Sequence, residues 1–400
     1  MLINGNLNFS SYYAYGLTTN YAHTWSAPTS AGTITLPSRF SFSCASTRNL
    51  QTSPSTMIKG IAANQAAVQW NPLLNTYTLM HEPSKTNYFI HSETLSTYQS
   101  STGTINGISY NNSGYMTATG ITDPAGDATG VSISSSVGNG LIPGIPGNAG
   151  SAVLSTWTKP VGSGNNACIT IEAFPSGATL FGASKLQLID ANQTGTDWRR
   201  VSSASVTAAS NDYFAISDYS ANSSYTGIQY ENGIYPTSYI STSGASATRS
   251  TSILSYSPTT TGSNSLKARL DLYPQTLVVG VYQPSFLYWQ YRQIPSPAFS
   301  SIFINPTTKV FSYSISGNLT TGTFALNYTF GDKITIVLSI LNKSIKLSAY
   351  KNNIYVGTDN LTVPNNMLIL GSNSVYICSN NTGALAGHSN GNLTYIGMTA

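Results

Sequence analysis

The sequence predicts an all-β chain of two antiparallel β-sandwich (jelly-roll) domains preceded by an N-terminal arm. Three observations lead there. Apolar and polar residues alternate with period two over several runs, and no apolar stripe with helical spacing extends over three turns. The 34 Gly and 18 Pro would interrupt most candidate helices. The alternating runs recur at short intervals between clusters of Gly, Asn, Ser and Pro, as in layered sheets. At 400 residues the chain exceeds the length at which a single core usually stops growing, about 250–300 residues, so more than one unit is expected.

Taken in chain order, residues 1–39 are aromatic and polar without clear alternation, with Tyr12, Tyr13, Tyr15, Tyr21 and Trp25. They read either as an arm that docks on another subunit or as a strand pair completing the first sandwich. Less regular alternation follows in Ile169-Thr170-Ile171, in Lys185-Leu186-Gln187-Leu188 and in Thr226-Gly227-Ile228-Gln229-Tyr230. Residues 138–151, GNGLIPGIPGNAGS, are the most loop-like stretch of the first unit, and residues 242–265 form the natural link to the second. Beyond the link the period-two signal is strongest. Phe324, Leu326, Tyr328 and Phe330 form one apolar set, Ile334, Ile336, Leu338 and Ile340 a second, and Ile345, Leu347 and Ala349 a third. Asn342-Lys343 and Asn352-Asn353 between them tolerate positive φ, so this region reads as a meander of hairpins.

Composition narrows the function classes. Only 8% of residues are charged and the formal net charge is +4, against roughly 25% charged residues in an ordinary soluble domain. Ser, Thr and Asn replace charge on the surface, and 40% hydrophobic residues with 26 Tyr rule out the apolar-poor signature of disorder. With no basic run longer than Arg199-Arg200, nucleic acid is not an expected partner. No apolar stretch is long enough to insert in a membrane, and the sequence MLINGNLNFSSYY carries neither a basic leader nor an apolar core of a signal peptide. The product is expected to be released into the cytoplasm where it is made. Cys44, Cys168 and Cys378 lack metal or disulfide spacing and read as small buried hydrophobes.

Each candidate for chemistry has a plainer counterpart. Asp123 and Asp127 in ITDPAGDATG are the closest acidic pair. They read first as turn formers around Pro124 and Gly126, with a calcium site of oxygen ligands as the alternative and glycoside hydrolysis as the least supported. His23, His81, His91 and His388 have no zinc spacing, and neither a GxSxG elbow nor a phosphate loop is present. The densest aromatic stretch, SFLYWQYR from 285 to 292, would on a strand place Phe286, Tyr288 and Gln290 on one face and Leu287, Trp289 and Tyr291 on the other. Tyr288, Trp289 and Tyr291 are therefore candidates for a subunit contact or a sugar-stacking platform. Trp157 and Trp198 read as core anchors of the first sandwich.

Four phrases occur in order along the chain: LMHEPSKTNYFIHS at 79–92, ITDPAGDATG at 121–130, TDWRRVS at 196–202 and IQYENGIYPTSYISTSGASATRS at 228–250. Together with FSFSCAS at 40–46 and AANQAAVQW at 62–70, they resemble a strap found in structural proteins of tailed phages. There, "tfsRas", "anqpRf" and "gllvEpartNlllyS" precede a carbohydrate-binding-module-like sandwich, and "aQlEeGsfpTSYIpTtgaavTRaad" follows. This chain departs from the pattern at Cys44 and Gln69, where the family has basic residues. Residues 251–400 look similar to the concanavalin- or laminin-G-like jelly roll that often comes next.

The resemblance implies an arm at 1–39, a strap plus first sandwich at 40–249 and a second jelly roll at 250–400. It implies a non-enzymatic component of a bacteriophage particle, displayed on the virion exterior as a fibre, appendage or decoration. The partners would be other virion proteins and copies of itself, and no cofactor is expected apart from the calcium alternative. The rival reading is an adhesin that binds host surface glycans. Within EPSKTN, Pro83 holds Glu82 extended. Glu82 is then expected to accept hydrogen bonds from nearby backbone or from Arg249 of ATRS, while the Asn87 amide ties down a turn. The three residues would form a latch closing the strap onto the first sandwich; the functional alternative is a sugar-binding Glu and Asn.

Overall fold

The computed structural model describes residues 21–71, 74–98, 102–105, 108–111, 116–133, 140–142, 150–160, 167–174, 186–193, 196–203, 205–208, 213–218, 223–233, 235–258, 265–274, 285–291, 298–305, 308–315, 318–329, 331–362, 374–378 and 391–399. Among these the regular structure is strand, apart from one 3₁₀ turn at Leu95–Tyr98, and every strand pair is antiparallel. The chain is all-β, as the alternation predicts.

The larger sandwich joins a nine-stranded sheet to a seven-stranded one. The first runs in the order Gly32–Thr33, Ala67–Asn71, Thr76–Leu79, Gly391–Thr399, Ser265–Pro274, Ile334–Leu341, Ser344–Lys351 and Ile354–Thr362, with His23–Ser26 also pairing Gly391–Thr399. The second runs Asn318–Ala325, Val310–Ile315, Ala298–Ile304, Ser285–Tyr291, Val375–Ile377, Ile253–Tyr256 and Phe40–Ser43. One apolar core fills the space between them. Leu270, Ile336, Leu338, Leu347 and Ile396 of the first sheet meet Leu254, Phe286, Ile302, Phe311 and Ile377 of the second. The hairpins at 334–362 follow the predicted rhythm. Ile334, Ile336, Leu338 and Ile340 are buried, as are Ile345, Leu347 and Ala349, and Asn342, Asn352 and Asn353 take positive φ in the turns.

The smaller sandwich has a six-stranded sheet in the order Met116–Ile121, Gly130–Ile133, Ser223–Asn232, Gly150–Pro160 and Arg199–Ser202, with Val206–Ala208 also on Gly150–Pro160. Its companion sheet runs Gly140–Ile142, Tyr213–Asp218, Ala167–Phe174 and Leu186–Gln193, and Ala167–Phe174 lies against Gly150–Pro160 and Ser223–Asn232. Trp157 and Trp198 are buried with Met57 and Tyr239, as the sequence suggests for core anchors. A register shift between Ser155 and Trp157 marks a bulge beside Gly227. Gly227 has φ +61°, which strains most side chains, and a Cβ there would crowd Trp157 Cδ1 at 3.0 Å, so both backbone and packing favour glycine.

Several local expectations are altered by tertiary pairing. In the arm, residues 1–20 lie outside the described residues, but His23–Ser26 and Gly32–Thr33 are strands of the nine-stranded sheet, and Trp25 is buried in its core. They complete the larger sandwich rather than the first. Strap strands Phe40–Ser43, Ala67–Asn71 and Thr76–Leu79 likewise pair with sheets built mainly from residues beyond 250, so pairing runs across the expected boundary there. The reason is burial: Phe40, Val68 and Leu79 find their apolar surroundings in that core. The expected link at 242–265 carries two strands, Ala247–Arg249 and Ile253–Tyr256. The strand expected over 324–330 ends at Ala325. There the Leu326 N–H turns to the Lys309 carbonyl, although Leu326 and Tyr328 remain buried. Of the loop-like stretch at 138–151, Gly140–Ile142 is strand and 143–149 lie outside the described residues.

Leu347 has no exposed surface and sits mid-strand in the shared core. Leu347→Ala is expected to cost about 2–5 kcal/mol of stability through lost burial and the cavity left behind, measured by urea unfolding.

Candidate functional site

The residues of EPSKTN lie where the strap crosses from one sandwich to the other. Lys85–Asn87 pairs antiparallel with Ala247–Arg249, with Lys85 opposite Arg249. The Ser252 N–H donates to the Glu82 carbonyl at 2.9 Å, and the Ser84 N–H to Thr251 Oγ1 at 2.9 Å. This short ladder brings Arg249 Nη1 to 3.1 Å from Glu82 Oε2. Ser238 completes the cage: its N–H donates to Glu82 Oε1 at 2.8 Å and its hydroxyl to Oε2 at 2.6 Å. Arg249 also donates to the carbonyls of Ser238 and Pro83, at 3.1 and 3.2 Å. Glu82 and Arg249 are both buried. Burial alone would push the Glu82 carboxyl up, but Arg249, the two Ser238 bonds and Arg48 hold it below the usual carboxylate range.

Asn87 is fully buried and uses both ends of its amide. Nδ2 donates to the carbonyls of Ile228 and Ile240, at 3.1 and 2.8 Å, and Oδ1 accepts the N–H groups of Phe89 and Tyr230, both at 3.0 Å. It thereby stitches together three backbone segments. Neighbouring side chains continue the knot. Gln229 Oε1 accepts the Ile240 N–H at 2.6 Å, Glu231 accepts the Thr237 N–H at 3.1 Å, and Ser92 Oγ accepts the Thr242 N–H at 2.8 Å and stands 2.8 Å from the Tyr239 hydroxyl. Burial pushes the Glu231 carboxyl up, against the pull of Lys85, Arg249 and the Thr237 N–H. Beside the knot, Arg48 donates to the Met80 carbonyl at 3.2 Å, and His81 Nε2 stands 3.1 Å from the Ile377 carbonyl of the seven-stranded sheet. The strap is thus fastened on both sides.

A second cluster surrounds Asp123 and Asp127. Lys59 Nζ lies 2.6 Å from Asp123 Oδ2, 2.6 Å from Glu93 Oε2 and 3.0 Å from Asp127 Oδ2. A lysine ammonium therefore sits between the carboxylates where the calcium alternative would place a metal ion, and calcium would have to displace it. The expected turn chemistry is present as well: Asp123 Oδ1 accepts the N–H groups of Ala125 and Asp127 at 2.8 and 2.9 Å. Burial would raise the Asp123 carboxyl, yet Lys59, Thr129 and the Asp127 N–H hold it below its ordinary value. Burial would likewise lower the Lys59 ammonium, but its three carboxylate partners keep it above the usual lysine value. Among the described residues no group of three or more His, Cys, Asp or Glu is arranged to hold a metal ion.

Tyr288, Trp289 and Tyr291 lie on an interior strand of the seven-stranded sheet, and their side chains lie outside the described residues. Their backbone positions face Ser301, Ser300 and Ala298 of the neighbouring strand. Strict alternation fails at the start of this strand, because a register shift between Ser285 and Leu287 lets Phe286 and Leu287 both enter the core. Cys44 and Cys378 are buried, as expected, and neither is in a disulfide; the Cys168 side chain lies outside the described residues.

Sequence reasoning missed Lys59, Glu93, Ser238, Gln229, Glu231 and Thr242. Four of these lie within the phrase IQYENGIYPTSYISTSGASATRS, and their role was signalled only by the resemblance. Glu82, Asn87 and Ser92 of the earlier phrase meet Ser238, Tyr239, Thr242 and Arg249 of the later one in a single hydrogen-bonded body.

No family model matches the chain, and no curated protein matches it. Several solved structures are similar in part, two of them as follows. A truncated AlyQ with CBM32 and alginate lyase domains is 11% identical, covering 70% of this chain and 94% of that one, with a TM-score of 0.22. Mouse laminin alpha1 chain, domains LG4-5, is 10% identical, covering 65% and 85%, with a TM-score of 0.23. Likenesses this slight carry no argument, and the fold rests on the strand pairing above.

Glu82→Gln removes the charge that compensates buried Arg249 and is expected to lower stability by about 3–5 kcal/mol, read by chemical unfolding. The pH dependence has a definite sign. The folded pKa of Glu82 is depressed, so the unfolded chain binds more protons and stability rises with pH. The Glu82 contribution is full above the unfolded value, about 4.3, and is lost as pH falls through the lower folded value. The stability gap between wild type and Glu82→Gln should therefore narrow on acidification below about pH 4. A gap independent of pH would refute the ion pair as its source.

Proposed function

We propose that the chain is a non-enzymatic structural component of a bacteriophage particle, a fibre, appendage or decoration protein on the virion exterior that assembles through its β-sandwiches. The observation that carries this reading is the convergence of the phrases. The side chains by which the sequence resembles the phage strap, Glu82, Asn87, Ser92, Gln229, Ser238, Tyr239, Thr242 and Arg249, contact one another in one buried knot. Residues that match a family's phrases and also fasten the strap are accounted for by architecture and need no ligand.

The use of charge supports the same reading. Glu82, Asp123, Asp271 and Asp359 are buried. Asp271 is held by Arg269 and Lys333 at 2.8 and 3.1 Å, and Asp359 by the Tyr313 hydroxyl at 2.7 Å and the Thr323 N–H at 2.7 Å. Carboxylates bound in this way serve packing, and a surface of Ser, Thr, Asn and Tyr lowers repulsion between copies held close together. Partners are then other virion proteins and further copies of the chain.

Purified particles from the source lysate should contain the chain at fixed stoichiometry by mass spectrometry, and antibody against it should label them at a regular position. The purified chain should bind no host polysaccharide on a glycan array. Absence from the particles, together with saturable glycan binding, would overturn the structural reading in favour of the adhesin.

A further inference from the structure

We propose that Lys59 and Asp123 join in an intramolecular isopeptide bond, with Glu93 as proton carrier, clamping the strap covalently to the smaller sandwich. The proposal goes beyond the virion reading and does not rest on it. A primary amine 2.6 Å from one oxygen of a buried carboxyl, with a second carboxylate 2.6 Å from the same nitrogen, brings nucleophile, electrophile and proton acceptor together.

The surroundings are arranged for acyl transfer at Asp123 Cγ. The N–H groups of Ala125 and Asp127 point at Oδ1, the oxygen that carries negative charge when nitrogen adds to the carbon. The Thr129 hydroxyl donates to Oδ2, the oxygen that departs, at 2.6 Å. Glu93 is oriented in turn: Oε1 accepts the Tyr239 hydroxyl at 2.6 Å, which leaves Oε2 to the lysine. Asp127 Oδ2, on the solvent side, is the third acid on the ammonium.

Both reacting segments are pinned. The Met57 N–H donates to the Pro124 carbonyl at 3.1 Å, and the Asp123 N–H to the Asp127 carbonyl at 2.7 Å. The Asp123 side chain is 0% exposed, and Ile121 and Ala125 on either side of it pack on Met57, Trp157, Trp198 and Tyr239. Forming the amide removes the desolvation cost that burial places on the Asp123 carboxylate, in exchange for the ion pair that now offsets it.

The step balances without a co-reactant. The Lys59 ammonium releases two protons through Glu93, and its nitrogen bonds to Asp123 Cγ. The Cγ–Oδ2 bond breaks, and Oδ2 leaves with the two protons as water. Ammonium plus carboxylate becomes amide plus water, nothing is oxidised, and Glu93 ends as it began. The bond closes a loop between positions 64 apart in sequence.

The test is the intact mass of the natively folded, purified chain under denaturing conditions, followed by peptide mapping. The expected result is a mass one water below that of the sequence and a branched peptide joining Lys59 to Asp123. Lys59→Arg keeps the cation but not the reactive amine, and Glu93→Gln keeps the shape but not the proton acceptor. Both should show the full mass with the β-sheet circular dichroism retained. A folded wild-type chain at full sequence mass overturns the proposal. So does a water loss mapped elsewhere, for instance to a cyclised Asp127, or one that persists in Lys59→Arg.

Discussion

A charge taken out of water must find an opposite charge or several hydrogen bonds, and that constraint organises this molecule around the strap. Glu82 and Arg249 are buried together at 3.1 Å, with Ser238 satisfying both carboxylate oxygens. Neither residue would tolerate its position alone, since an unpaired buried ion costs several kcal/mol or more. The backbone that brings them together, the ladder between Lys85–Asn87 and Ala247–Arg249, is therefore specified as strongly by charge as by apolar contact.

From that point the architecture extends in both directions. Upstream, the strap contributes strands to the two large sheets and is tied to the seven-stranded one through His81 and Ile377. Downstream, Asn87 and Ser92 bind the strap to the strand Ser223–Asn232 and to the segment that follows it. One continuous segment thus serves both sandwiches, so neither sheet pair is independent of it. The Lys59 cluster repeats the device at a second place, joining the strap strand Met57–Ile61 to the loop after Met116–Ile121. Glu82, Arg249, Lys59, Glu93 and Asp123, a handful of the chain's few charged residues, serve these two junctions.

The all-β class, the hairpins at 334–362 and their buried faces were legible because strand periodicity and turn chemistry are local: each can be read within about ten residues. Trp157 and Trp198 as core anchors were also legible, and Arg249 stood beside nearby backbone as an expected partner of Glu82 once the resemblance set the two phrases together. Local reading failed wherever a strand's neighbours come from far along the chain. Trp25, Phe40 and Val68 belong to a core built largely from residues beyond 250, and no alternation within the first 80 residues specifies that choice. Lys59 sits in MIKGI as a lone lysine on a short strand, and its three acids are supplied by two distant segments. Alternation of side chains is settled by the geometry of one strand, and the sequence by itself determined that much. Which sheet a strand enters, and which carboxylates a buried amine meets, only the tertiary structure decided, because burial and ion pairing depend on what the rest of the chain brings within a few ångströms.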